Sequence, residues 1–151
     1  RLDSVSGGGA SGSYETESTD AICARQAGRI ALQDSVLFLW VTSPLLPDGL
    51  KVMEAWGFTY KASFVWDKQQ GFNGHYNDVC HELLLLGVRG SCTPESETLF
   101  KSVISEPKRK HSAKPESFRS MIDTLYPSGP RVELYARTKA KGWDCWGNEA
   151  D

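Results

Sequence analysis

The chain has 151 residues, 17 basic and 19 acidic side chains and a net charge of -2. That is enough for one domain with a real core, and it excludes a global electrostatic field for nucleic acid, so any such contact must come from a local patch. No apolar run approaches the roughly 20 residues of a membrane span, no signal peptide is visible, and Cys23, Cys80, Cys92 and Cys145 form no C-x-x-C pair, so a reducing, cytoplasmic setting without a membrane is expected.

Residues 1–17 are polar and rich in Gly and Ser. The run Gly7-Gly8-Gly9-Ala10-Ser11-Gly12 fits G-x-G-x-x-G in letters. It lacks the strand before and the helix after that a phosphate cradle needs, and it reads as a flexible segment. Residues 18–151 read as the domain proper. Ser18 or Thr19 caps a short helix to about Gln26, with Ile22 buried. Val36 to Val41 is a continuous apolar run, too short for a core helix; it predicts a strand covered on both faces, as in a parallel sheet. Ser43-Pro44 then opens a helix. Leu45, Leu46, Leu50, Met53 and Trp56 make its apolar stripe, and Gly57 stops it.

Phe58 to Lys68 is a second strand, and Gln69 to Asp78 a polar loop. Glu82 to Val88 is another strand buried on both faces, 91–99 a loop and Val103-Ile104 a short strand. Pro115 opens a helix with Phe118, Met121, Ile122 and Leu125 on one face. Val132 to Tyr135 is the last strand, followed by a loop rich in Trp and Gly. Strands alternating with helices predict an α/β domain.

The chemistry gathers toward the C-terminal end. Its carboxylate and Asn can take ribose hydroxyls, its Arg and Lys side chains can hold an acidic group, and its aromatics can cover a flat ring. In open α/β sheets such ligands sit at the carboxyl ends of strands. Each residue also has a plain reading. Lys114 suits an exposed helix entry, and Lys108, Arg109, Lys110 and His111 suit a solvated turn as readily as a phosphate-contacting patch. Trp40 ends a buried strand and reads as core, while Trp143 and Trp146 read as packing for the turn at Asn148. Glu82 opens a buried strand and would be costly to bury unpaired, which favours a site or a hydrogen-bonded role. His75 and His81 lack a third ligand at suitable spacing, so no metal is expected.

Seven segments in order carry a resemblance: Leu37-Phe38-Leu39-Trp40-Val41-Thr42, Trp56-Gly57-Phe58, Phe64-Val65-Trp66-Asp67-Lys68, His81-Glu82-Leu83-Leu84-Leu85, His111-Ser112-Ala113-Lys114-Pro115, Glu133-Leu134-Tyr135-Ala136-Arg137 and Trp146-Gly147-Asn148-Glu149. Each is modest alone; together they resemble the N6-adenine methyltransferase family named after the seventy-kilodalton subunit of the mRNA adenosine methyltransferase, in its bacterial and phage branch.

The resemblance implies a Rossmann-like sheet with helices on both faces and S-adenosylmethionine as cofactor. By position, Lys114 would pair with the cofactor carboxylate. Glu133 and Arg137 would meet its ribose, Asn148 and Glu149 its ribose and adenine, and Tyr135 its methionine end. Tyr14, Trp66 and Glu82 would lie near the target adenine, and Lys108, Arg109 and Lys110 beside the nucleic acid, DNA before RNA. The family's catalytic tetrapeptide, Asp-Pro-Pro-Trp, does not occur in this sequence. The resemblance places it, with the sheet's first strand, ahead of Arg1. A non-catalytic partner subunit or a truncated fragment is therefore the alternative reading. A sheet edge left open in this way favours a homodimer or heterodimer.

Overall fold

The computed structural model describes residues 17–25, 27–110, 113–136 and 138–146. The described residues form two compact units, one within residues 17–93 and 99–115, the other within 94–98 and 116–146. The mixed α/β architecture is the one expected.

The larger unit begins with α1 (Thr19–Ala24), whose Ser18 hydroxyl accepts the Ala21 N–H at 3.1 Å. Ile22 is its buried residue, as read from sequence. Thr19 and Lys51 bind Asp48 and Asp20 at 3.0 and 2.8 Å, tying α1 to the next helix. Strand β1 (Ser35–Thr42), a short 3-10 turn (Ser43–Leu45), α2 (Leu46–Ala55), β2 (Thr59–Asn73), β3 (Asp78–Arg89) and β4 (Val103–Ser105) follow. The sheet order is β1-β3-β2-β4. Central β3 carries the buried run Leu84, Leu85 and Leu86. Helix α2 packs on β1 and β2, and Gly87 makes room for it: a Cβ there would lie 2.7 Å from Met53 Sδ.

Three expectations are corrected. In this four-stranded sheet β1 runs antiparallel to β3, as β2 does, and β4 is parallel to its neighbour β2. An apolar run reports that both faces are covered, not which way the neighbouring strand points. The buried stripe of α2 is Gly49, Val52, Met53 and Trp56, whereas Leu50 is exposed; Leu50 sits one residue off the i, i+3, i+4, i+7 track. The polar stretch after Lys68 is mostly strand: β2 continues to Asn73, and only 74–77 form the turn, closed by the Gly74 N–H on the Asn77 carbonyl at 3.0 Å. Its polar side chains carry no apolar alternation to betray a strand.

The smaller unit holds α3 (Glu116–Leu125), β5 (Val132–Leu134) and β6 (Asp144–Trp146), with β5 and β6 parallel. Phe118, Met121 and Leu125 are the buried face of α3. The chain leaves the strand at Leu134, and Tyr135 takes a φ of 58°. Among the described residues no helix is long and apolar enough to cross a membrane.

Candidate functional site

In the larger unit the pairing register brings the site together. Glu82 on β3 lies opposite Thr42 of β1 and Trp66 of β2, and Trp40 lies opposite Leu84 two pairs further along, on the same face. Trp40 and Trp66 therefore meet edge to face, with ring centroids 6.1 Å apart and planes at 74°. Trp40 is half-buried, not core as its place in the strand implied. Trp66 is 1% exposed, and its indole N–H donates to the Glu106 carbonyl at 2.7 Å.

Lys114 reaches this corner from the stretch before α3. Its ammonium donates to Glu82 Oε2 at 2.7 Å and lies 5.2 Å from the Trp40 ring centroid and 5.9 Å from that of Trp66. Glu82 is 7% exposed. The expectation that a buried Glu82 must have a partner is met, and the partner is another predicted site residue. The result is an oriented cation and carboxylate walled by two indoles. Such a corner can take an acidic group on the cation and a flat face on the half-buried Trp40 ring.

Lys68 was not singled out from the sequence. It sits half-buried two residues past Trp66, where Glu82, Lys108 and Lys114 all act on it. Burial pushes its ammonium below the ordinary 10.5, and repulsion from Lys108 and Lys114 adds to this against the pull of Glu82. The unfolded chain then binds more protons than the folded one between the lowered value and 10.5, so stability rises with pH across that window. Lys108→Ala is expected to raise the Lys68 titration midpoint and Glu82→Gln to lower it, read from lysine Cε chemical shifts. A midpoint unmoved by both would refute the cluster. Lys108, Arg109 and Lys110 are exposed, and Arg109 stands 3.8 Å from Glu106.

In the smaller unit Glu133, on β5, takes Arg119 Nη2 at 2.6 Å, while Arg119 Nη1 binds Glu116 at 2.8 Å. Arg119, also missed from the sequence, fixes where the Glu133 carboxylate points. Tyr135 meets Trp146 edge to face at 5.5 Å. Its left-handed backbone is unusual for a bulky residue and costs on the order of 1–3 kcal/mol, a strain that gathers at functional sites. Trp146 is 47% exposed, and the turn at Asn148 that it is expected to hold lies outside the described residues. Trp143 donates its indole N–H to the Asp123 carboxylate at 3.1 Å. Tyr14, Arg137, Asn148 and Glu149 lie outside the described residues. All four cysteines are free thiols, and no metal-binding group of His, Cys, Asp and Glu occurs among the described residues.

The family profile described as MT-A70 matches residues 10–149. The chain is 34% identical over 122 residues to a Type II methyltransferase, M.MunI, of a Mycoplasma species, covering 80% of this chain and 52% of that protein. It is 30% identical over 149 residues to an N(6)-adenosine-methyltransferase MT-A70-like protein of Drosophila melanogaster, covering 91% of this chain and 24% of that protein. It is 30% identical over 128 residues to the human N(6)-adenosine-methyltransferase catalytic subunit METTL3, covering 78% of this chain and 22% of that protein. The chain thus spans about half the length of the first of these relatives and about a quarter or less of the other two.

Proposed function

The chain belongs to the MT-A70 methyltransferase family, and from that premise we propose that it takes part in S-adenosylmethionine-dependent methylation of the N6 amine of adenine in nucleic acid. The observation that carries this reading is the Glu82–Lys114 pair between Trp40 and Trp66. Lys114 is a compact point charge whose donors rotate, so it can share or exchange carboxylates; in this reading it takes the carboxylate of the cofactor. Glu133, held by Arg119, and Arg137 serve the ribose, Asn148 and Glu149 the ribose and adenine, and Tyr135 the methionine end. When bound, the cofactor supplies an activated methyl group.

The target base must be turned out of its stack to be reached. Tyr14, Trp66 and Glu82 serve its side, with buried Trp66 supporting the half-buried Trp40 ring. Lys68, Lys108, Arg109 and Lys110 hold phosphates. Duplex DNA comes before RNA, because the β2–β3 hairpin is a two-stranded ribbon, a shape that enters the B-form major groove and not the narrow A-form one. The human relative is named a catalytic subunit, which supports a reading in which this chain works beside a second chain, its own copy or another. The free thiols fit a cytoplasmic setting.

The test is calorimetric titration with S-adenosylmethionine and with its demethylated product. Saturable binding is expected, weakened roughly tenfold to a hundredfold in Lys114→Ala by loss of a charge-assisted hydrogen bond. No binding by a chain that unfolds cooperatively would end the cofactor reading. Binding without adenine methylation would favour a non-catalytic subunit.

A further inference from the structure

β2 and β3 run on together beyond the strands that flank them. β1 ends its pairing with β3 at Glu82, and β4 ends its pairing with β2 at Asp67. The pairs Phe72↔Val79 and Asn73↔Asp78 then carry a free ribbon outward to the turn at 74–77. Its side chains are those of a reader, not of a core: Gln69, Gln70, His75 and Asn77 are exposed, and Tyr76 stands fully in solvent at the tip.

The root of this ribbon is built with care. Between Asp67↔His81 and Phe72↔Val79, β2 carries residues 68–71 against Cys80 alone. This wide bulge turns the ribbon one pair beyond Trp66↔Glu82. Within it Gln69 takes a φ of 63°. The Asp67 carboxylate holds that conformation by accepting the Gln69 N–H at 2.9 Å, and is itself held by the Ser105 hydroxyl at 2.8 Å. Bulges beside sites re-aim side chains, and a non-glycine residue held left-handed is a departure that the surroundings must maintain.

We propose that the ribbon of residues 68–79 enters the major groove of duplex DNA and reads the bases that flank the target adenine, with Gln69, Gln70 and Asn77 as amide readers and Tyr76 against the groove edge. This rests on the proposed action on nucleic acid and deepens it to sequence recognition. The B-form major groove is about 12 Å wide and admits a two-stranded ribbon, and Asn and Gln amides match the N6 and N7 edge of adenine. From Lys68 to Asn73 the ribbon extends at most roughly 20 Å, less where it bulges, enough to follow several base pairs. The division of charge agrees. Lysines cluster at the root, where phosphates are gripped, and the exposed amides of Gln69, Gln70 and Asn77 lie along the ribbon, where base edges are read, with Asp78 its one described carboxylate.

The experiment presents the full chain, with S-adenosylmethionine, with duplexes of about 20 base pairs that share a central adenine and have randomised flanks; the retained pool is then sequenced. The wild-type chain is expected to enrich particular flanking bases. Gln70→Ala, Asn77→Ala and Tyr76→Ala, all at exposed positions, are each expected to flatten that preference at one or two base pairs by about fivefold to a hundredfold. Lys108→Ala is expected to weaken every sequence alike. No retention of duplex by the wild type, no preference in its flanks, or an unchanged preference in all three ribbon variants would overturn the proposal, as would ribbon variants that impair single-stranded RNA alone. Titration of the cofactor into the same proteins keeps the two ideas apart. A chain that ignores the cofactor yet loses its flank preference with the ribbon defeats only the cofactor reading. One that binds the cofactor while the ribbon variants change nothing defeats only this one.

Discussion

Glu82→Ala is expected to destabilise the larger unit by about 3–4 kcal/mol, as a shift of the urea midpoint at unchanged slope, because it strands the Lys114 ammonium among indole rings. The two side chains are only 9% and 16% exposed, so water cannot readily replace the lost carboxylate. Contact with Trp40 and Trp66 offsets part of the loss, which sets the figure at the lower end. Lys114→Met is expected to cost a comparable amount by leaving Glu82 buried without its cation. The combination of Glu82→Gln with Lys114→Met should return to within about 1 kcal/mol of wild type, since an uncharged pair of similar size suits a dry aromatic corner. The coupling in that cycle should be about 2 kcal/mol or more; a coupling under about 0.5 kcal/mol would mean that the two groups do not act as a unit. The cycle also separates stability from function: the double variant should fold well and still bind S-adenosylmethionine roughly tenfold to a hundredfold more weakly than wild type, because its stability no longer depends on the charge that the cofactor needs.

The parts of this site that were legible in the sequence are those that follow from local pattern. An acidic residue opening the run Leu83 to Leu86 had to be buried, and a buried carboxylate had to find a partner. Nothing local says which partner: Lys114 lies 32 residues away, and the resemblance alone marked it. The short strand at Val103 and the Ser18 cap of α1 were legible for the same local reason. Strand direction was not, because pairing is a long-range choice that apolar runs leave open. Nor was the β2–β3 ribbon, where polar residues such as Gln69, Gln70, Asn73 and Asp78 are exposed. Lys68 was within reach: it stands two residues past Trp66, and a period of two carries consecutive odd or even positions to one face. Arg119 carried only an ordinary i, i+3 relation to Glu116, which gives no hint of Glu133.

Arg89→Ala is expected to cost about 3–5 kcal/mol, more than any change at the ribbon. The guanidinium, at the far end of β3, donates to the carbonyls of Gly28 at 2.6 Å, Trp56 at 2.7 Å and Ala31 at 3.4 Å, and lies 5.1 Å from the centre of the Phe58 ring. Two of these are short, charge-assisted bonds, each worth roughly 1.5–3 kcal/mol. The Trp56 carbonyl also belongs to the C-terminal end of α2, where a cation is favoured. The chain clears space for the group: at Gly57, with φ of 85°, a Cβ would lie 2.7 Å from Arg89 Nη2. Gly57→Ala should therefore lose about 1–2 kcal/mol to its left-handed backbone alone and more by displacing the guanidinium. Arg89→Lys is expected to recover less than half of the loss, because a single ammonium cannot span carbonyls that a planar fork reaches together. If the lysine variant matched wild type, charge at the helix end would be the whole effect and the fork irrelevant. Arg89 stands seven residues along β3 from Glu82, roughly 23 Å, with no shared partner. The costs of Arg89→Lys and Glu82→Gln should then add to within about 0.5 kcal/mol. A larger deviation would show that the two ends of β3 do not respond independently, and would make Arg89 part of the site and not only of the frame that carries it.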